Sequence, residues 1–189
     1  MSGRIKQSVS ARLESGEITE SQAYELTREA ALSSLDRAMQ CRHVLESKLI
    51  QRGFPVDQVG SVLDRLEAVG LVDDAEYAEA VVRARAVRGF AKRAIGAELA
   101  RKGVAATTSA QALAQIDSAQ QMEAAQQVAA KAVQRCVGLA PEVKARRAYG
   151  AVSRRGFSAS IATAAVAQAL AMSSEAIGAD GLAANAEAA

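Results

Sequence analysis

The sequence predicts an all-α protein, built as a tandem array of three divergent three-helix units in an extended or curved arrangement. Three observations carry that expectation. One phrase recurs three times, as LESKLIQRGFPVDQVGSVLDRL over 45–66, IGAELARKGVAATTSAQALAQI over 95–116 and AYGAVSRRGFSASIATAAVAQAL over 148–170. In each copy an apolar residue (Leu49, Leu99, Val152) stands four positions before a glycine (Gly53, Gly103, Gly156), and basic residues precede that glycine directly. A repeat of this length is one supersecondary unit that completes its core only against a neighbour. Finally, half of the 189 residues are apolar, only 3% are aromatic and two are proline, a composition suited to helices packed closely through Ala, Leu and Val.

Taken in order, residues 1–20 lack periodicity and are expected to form a largely flexible extension. The first unit, 21–69, opens with a helix from Ser21 to about Arg37, whose Ala23, Leu26, Ala30 and Leu35 recur at helical intervals. A second helix from about Cys41 to Arg52 ends at Gly53, which is expected to take a positive φ as a C′ residue. Pro55 then suits the first turn of a third helix, with Val59, Val62, Leu63 and Leu66 facing inward. The second unit, 70–117, starts at GLVDDAEYAEAVVRARAV, where Asp73 and Glu76 form an acidic variant of the capping box. Gly89-Phe90 breaks that helix, a second runs from about Ala91 to Lys102 and stops at Gly103, and a third carries Ala112, Leu113 and Ile116. The third unit, 118–172, repeats the plan with helices near 119–137, 141–155 and 158–172. Ile161 lies five residues after Gly156, whereas Val59 lies six after Gly53, so the copies are expected to drift in register. The acidic, Ala-rich tail 173–189 is expected to be mobile.

Catalytic chemistry finds little material in this chain. His43 is the only histidine and suits a surface or packing role, and a helix directs it away from Cys41. Cys41 and Cys136 lie far apart without a CxxC spacing, so neither a metal site nor a disulfide framework is indicated. Asp73-Asp74 lacks further carboxylates at calcium-loop spacing, and both GxGxxG and GxxxxGK[ST] are absent. No catalytic residue, metal or cofactor is expected. With no secretory signal or bilayer-spanning run, the expected location is cytoplasmic.

Charge is where the sequence becomes specific. The overall balance is only +2, yet 83–102 and 131–155 each hold seven cations against one acid. Such clusters point to a polyanion or an acidic protein groove as partner. The first cluster offers Arg83, Arg85, Arg88, Lys92 and Arg93; the second offers Lys131, Arg135, Lys144, Arg146, Arg147, Arg154 and Arg155. Arg154 and Arg155 have a second explanation, because cations favour the last turn of a helix. Lys92 and Arg93 fall in a first turn, where the dipole opposes them, so they are expected to await a ligand. Arg85 and Arg88 share a face leading into the same Gly89-Phe90 corner.

These residues resemble the RecX family of recombinase regulators, bacterial proteins that act on RecA. The likeness covers roughly 24–171 and rests on LIQRGF followed by a Leu/Val-rich helix, then GLVDDAEYAEAVVRAR, GFAKRAIGAELARKGV and RRAYGAVSRRGFSASIATAAV in order. The resemblance implies a non-enzymatic modulator lodged in the groove of the RecA filament on single-stranded DNA. Such proteins suppress ATP hydrolysis, strand exchange and coprotease activity in recombination and the SOS damage response. It implies the RecA filament and single-stranded DNA as partners, with double-stranded DNA as an alternative ligand, no membrane, and a monomeric state. Family members often carry an Arg-Ser pair and then Glu-Leu in the second helix of the first unit, where this chain has Gln40-Cys41 and Val44-Leu45. The competing expectation is a helical nucleic-acid-binding protein that acts through phosphate contacts without RecA. The scarcity of aromatic residues argues against base stacking in either case.

Overall fold

A computed structural model describes residues 7–186, with side chains as far as Ser173, and every regular element among them is a helix. In chain order these are α1 (Val9–Glu14), α2 (Glu20–Leu35), α3 (Arg42–Gln51), α4 (Val56–Ala68), α5 (Asp74–Val87), α6 (Lys92–Arg101), α7 (Ala106–Ala114), α8 (Ser118–Gln134), α9 (Pro141–Arg154) and α10 (Ala159–Ala186). None of them is long and apolar enough to cross a membrane, among the described residues.

The recurring phrase is a helix ending. After α3 the Gly53 N–H bonds to the Ile50 carbonyl at 2.9 Å and the Phe54 N–H to the Leu49 carbonyl at 3.2 Å. After α6 the Gly103 and Val104 N–H groups reach Ala100 and Leu99 at 3.0 and 3.1 Å. This is the Schellman geometry, which needs a left-handed residue at C′, and Gly53, Gly103 and Gly156 have φ of 83°, 78° and 89°. Its apolar clasp is present too, since Leu49 and Phe54, like Leu99 and Val104, are buried.

The missing side chain of each glycine also makes room for a neighbour. The first turn of α1 sits on Gly53, where Ser10 N–H donates to the Gly53 carbonyl at 3.0 Å. The His43 ring packs on Gly103 while the Cys41 thiol donates to the Lys102 carbonyl at 3.1 Å. At Gly156 an added Cβ would lie 2.6 Å from Ala94 Cβ, and Ala91 N–H donates to the Arg155 carbonyl at 2.9 Å. Each seat thus joins the start of one helix to the end of another.

The chain divides into two compact units, Met1–Ala80 with Leu99–Ser109, and Val81–Glu98 with Ala110–Ala189. In the first, Leu45, Leu49, Val59 and Leu63 are fully buried among α2, α3 and α4. Asp74 assists from α5, its carboxylate accepting the Arg42 N–H at 2.8 Å and so capping α3, whose Cys41 N-cap side chain makes no capping bond. Asp73 caps its own helix, accepting from Ala75 and Glu76 N–H at 2.8 and 3.0 Å. In the second, the core is made largely of small residues: Ala125, Ala129, Ala148, Ala162 and Ala165 are all fully buried with Val152.

Three expectations change. The segment expected to be a flexible extension contains α1, capped by Ser8 and docked on Gly53, with Ile18 buried. The final helix runs to Ala186 and does not stop at Met172; residues 187–189 of the tail lie outside the described residues. The register does not drift, because Val59, Ser109 and Ala162 each stand six residues after their glycine and each is buried. Ile161, the bulkier neighbour of Ala162, is partly exposed and packs at the margin of the core that Ala162, Ala165, Val166 and Ala169 of α10 face.

Candidate functional site

The second compact unit brings cations of both sequence clusters to one cavity of about 380 Å³. The wall from α8 is a helical stripe, Ala124, Gln127, Val128, Lys131, Ala132 and Arg135, at successive spacings of three, one, three, one and three. The corner after α5 contributes Arg88, Gly89 and Phe90, and the end of α9 contributes Arg155. Gly89 makes this junction possible: its φ is 73°, and a Cβ there would stand 2.9 Å from Val128 Cγ2 and 3.3 Å from Arg155 Nη1. Four cations, Arg88, Lys131, Arg135 and Arg155, therefore line a space to which no carboxylate among the described residues contributes. Lys131 and Arg135 gain from the carbonyl end of α8, and Arg155 from that of α9. The outcome is a standing positive potential suited to an anion.

Phe90 anchors the wall. The Arg155 guanidinium lies over its ring at 5.1 Å and Arg85 at 5.7 Å, within the range of cation–π attraction. A second cavity of about 480 Å³ shares Val87, Phe90, Ala124 and Gln127 with the first and is lined beyond them by Val82, Ala86 and Ile116 and by polar residues among which are Gln115, Gln120 and Gln121. Arg83 and Glu123 stand at this second cavity. Val87, on the shared edge, is 90% exposed.

The other candidate residues separate. Arg85 is committed to Glu98 in a two-pronged pair, Nε to Oε2 at 2.7 Å and Nη2 to Oε1 at 2.6 Å. Lys92 and Arg93 do begin α6, and of the two side chains Arg93 is the one with a partner across the unit. Arg93 Nε donates to the Gly156 carbonyl at 3.2 Å, just past α9, so the cation opposed by the α6 dipole is favoured by that of α9. The Lys92 N–H is satisfied by Gln121 Oε1 at 3.2 Å. On α9, helical spacing puts Lys144 and Arg147 on the face of Ala151 and Arg155, while Arg146 points to the opposite side. Arg146, Arg147 and Arg154 are exposed. Sequence reasoning pointed to the Gly89-Phe90 corner through Arg85 and Arg88 but did not single out the Val87 and Phe90 side chains; the signal for Phe90 was an aromatic residue five positions after Arg85, whose guanidinium lies over its ring.

Elsewhere Cys41 is inert packing. It is fully buried, and that burial, more than any neighbouring charge, pushes its thiol pKa up. Arg42 binds Asp64 at 2.7 Å and also Glu67, and the Asp64 hydrogen bond is the chief reason its guanidinium pKa is raised. Among the described residues no group of three His, Cys, Asp or Glu side chains is placed to hold a metal ion.

Comparison with known proteins gives a consistent result. Residues 28–66 match the family model described as RecX, first three-helix domain, and 73–113 that described as RecX, second three-helix domain. The chain is 39% identical over 140 residues to the regulatory protein RecX of Thermobifida fusca, spanning 74% of this chain and 76% of that one. It is 37% identical over 153 residues to that of Mycobacterium avium, spanning 80% and 88%. For Streptomyces coelicolor the figures are 35% over 162 residues, 85% and 86%. The crystal structure of RecX from Lactobacillus salivarius superposes with a TM-score of 0.69 at 22% identity, covering 79% of this chain and 97% of that one.

Proposed function

The chain belongs to the RecX family, and from that premise we propose that it is a non-enzymatic, negative regulator of RecA. It binds in the groove of the RecA filament on single-stranded DNA and holds it in a state that hydrolyses ATP and exchanges strands poorly. The chain carries this out as three three-helix units over 21–69, 70–117 and 118–172. The observation that supports the reading is the carboxylate-free cavity lined by Arg88, Lys131, Arg135 and Arg155. A cleft of one charge sign attracts an oppositely charged surface and fixes its orientation. Nothing in this action requires a reacting group, only placement.

The test is DNA-dependent ATP hydrolysis by RecA in the presence of the wild-type chain and of a triple variant, Arg88→Gln, Lys131→Gln and Arg135→Gln. Arg155 is left in place because it packs on Phe90. The variant is expected to lose suppression while keeping wild-type helicity by circular dichroism. Suppression at wild-type concentrations would remove the cavity from the mechanism. If suppression is absent even for the wild type while single-stranded DNA is bound, the RecA-independent phosphate binder replaces the proposal.

A further inference from the structure

The two adjoining cavities differ in chemistry, and that difference says what kind of anion they take. The first presents four cations, while the second sets Val82, Ala86 and Ile116 among Arg83, Glu123 and glutamine side chains, and the edge between them is the 90% exposed Val87. A nucleic-acid strand would satisfy the cations but leave the exposed Val87 edge in water. Its bases would also look for an open aromatic face, and Phe90 already carries the guanidiniums of Arg85 and Arg155. A polypeptide that sets carboxylates beside an apolar side chain uses both halves, the carboxylates toward Arg88, Lys131 and Arg135 and the apolar group over Val87 into the second cavity. Glu123 and Gln127, hydrogen-bonded to each other at 3.3 Å, stand at the second cavity together with Arg83, so no single charge sign prevails there as it does in the first.

We infer that this paired cavity is the docking site for an acidic polypeptide segment of the partner, anchored by one apolar side chain, and that it reads protein in preference to nucleic acid. The inference rests on the proposed role of the cationic cavity and specifies its occupant. Its energetics follow from an apolar anchor in a pocket with charges fixing register around it.

Fluorescence anisotropy with the full chain tests this directly. The probes are a labelled peptide of repeated Glu with one central Leu, the same peptide with Ser in place of Leu, and a labelled oligo-dT of equal charge. The Leu peptide is expected to bind at least about tenfold more tightly than the Ser peptide, a difference within reach of one buried aliphatic group. Val87→Ser lies on an exposed position and should erase that preference while leaving oligo-dT binding unchanged. Arg88→Gln with Lys131→Gln should weaken both peptides. Equal binding of the Leu and Ser peptides, or no effect of Val87→Ser, overturns the inference. Oligo-dT bound more tightly than the Leu peptide and lost with Arg88→Gln and Lys131→Gln would make the cavity a phosphate site. That outcome refutes the peptide assignment while leaving suppression of RecA by the same cavity intact, whereas failure of the ATP-hydrolysis test removes the cavity's role altogether.

Discussion

At the scale of single residues, Gly103 meets two demands at once. Its φ of 78° disfavours any side chain, and a Cβ would collide with the His43 ring packed above it. Gly103→Val is therefore expected to destabilise the protein by more than about 1 kcal/mol, whereas Val at exposed Ala106 costs little beyond the lower helix propensity of a β-branched residue. Equal melting temperatures for the two variants would contradict the left-handed seat. Cys41 makes a second, pH-dependent prediction. Its folded-state thiol keeps its proton more firmly than the unfolded one, because burial disfavours the thiolate. The stability linked to it is whole below the unfolded thiol pKa of about 8.5 and is lost as pH rises through the higher folded value. Cys41→Ser keeps a donor for the Lys102 carbonyl and does not titrate, so wild type should lose melting temperature relative to this variant above about pH 8.5. Parallel pH profiles would count against it.

At the scale of elements, the Gly89-Phe90 corner divides two arginines that share a helix face. Arg85 is held by Glu98 of α6, with both side chains no more than a third exposed, while Arg88 faces the cavity. Arg85→Ala is expected to destabilise the protein by about 1–2 kcal/mol, and Arg88→Ala by less than about 0.5 kcal/mol. Urea unfolding measures both, and a double-mutant cycle with Glu98→Ala should recover most of the Arg85 effect as coupling. Reversing charge at both arginines is therefore expected to perturb the fold as well as the proposed function, whereas substitutions at Arg88, Lys131 and Arg135 are expected to separate the two. The partner of Arg85 stands thirteen residues away on another helix, a distance at which sequence spacing carries no sign of pairing. For the same reason Arg93 reads as an opposed cation in sequence and as a cap for α9 in space.

At the scale of the whole molecule, the joints between helix starts and helix ends make sequence-local fragments incomplete. A fragment of residues 1–69 would lack the Asp74 carboxylate on Arg42, the Lys102 carbonyl on the Cys41 thiol and the Gly103 surface under His43. It is expected to melt well below the full chain, and an equal melting midpoint would show these joints to be dispensable. The sequence by itself determined the helical class, the three glycine-terminated helix ends and the Asp73 cap, because periodicity, left-handed backbone and first-turn hydrogen bonds are all settled within a few residues. It also located both basic clusters. Only the tertiary structure decided which cations meet at one cavity, which are spent on Glu98 or a helix carbonyl, that α1 folds onto Gly53, and that Ala162 is fully buried at the start of α10 while Ile161 lies at the core margin. Those outcomes depend on side chains that approach from distant parts of the chain, where attraction, burial and room for a neighbour are properties of packing and not of sequence order.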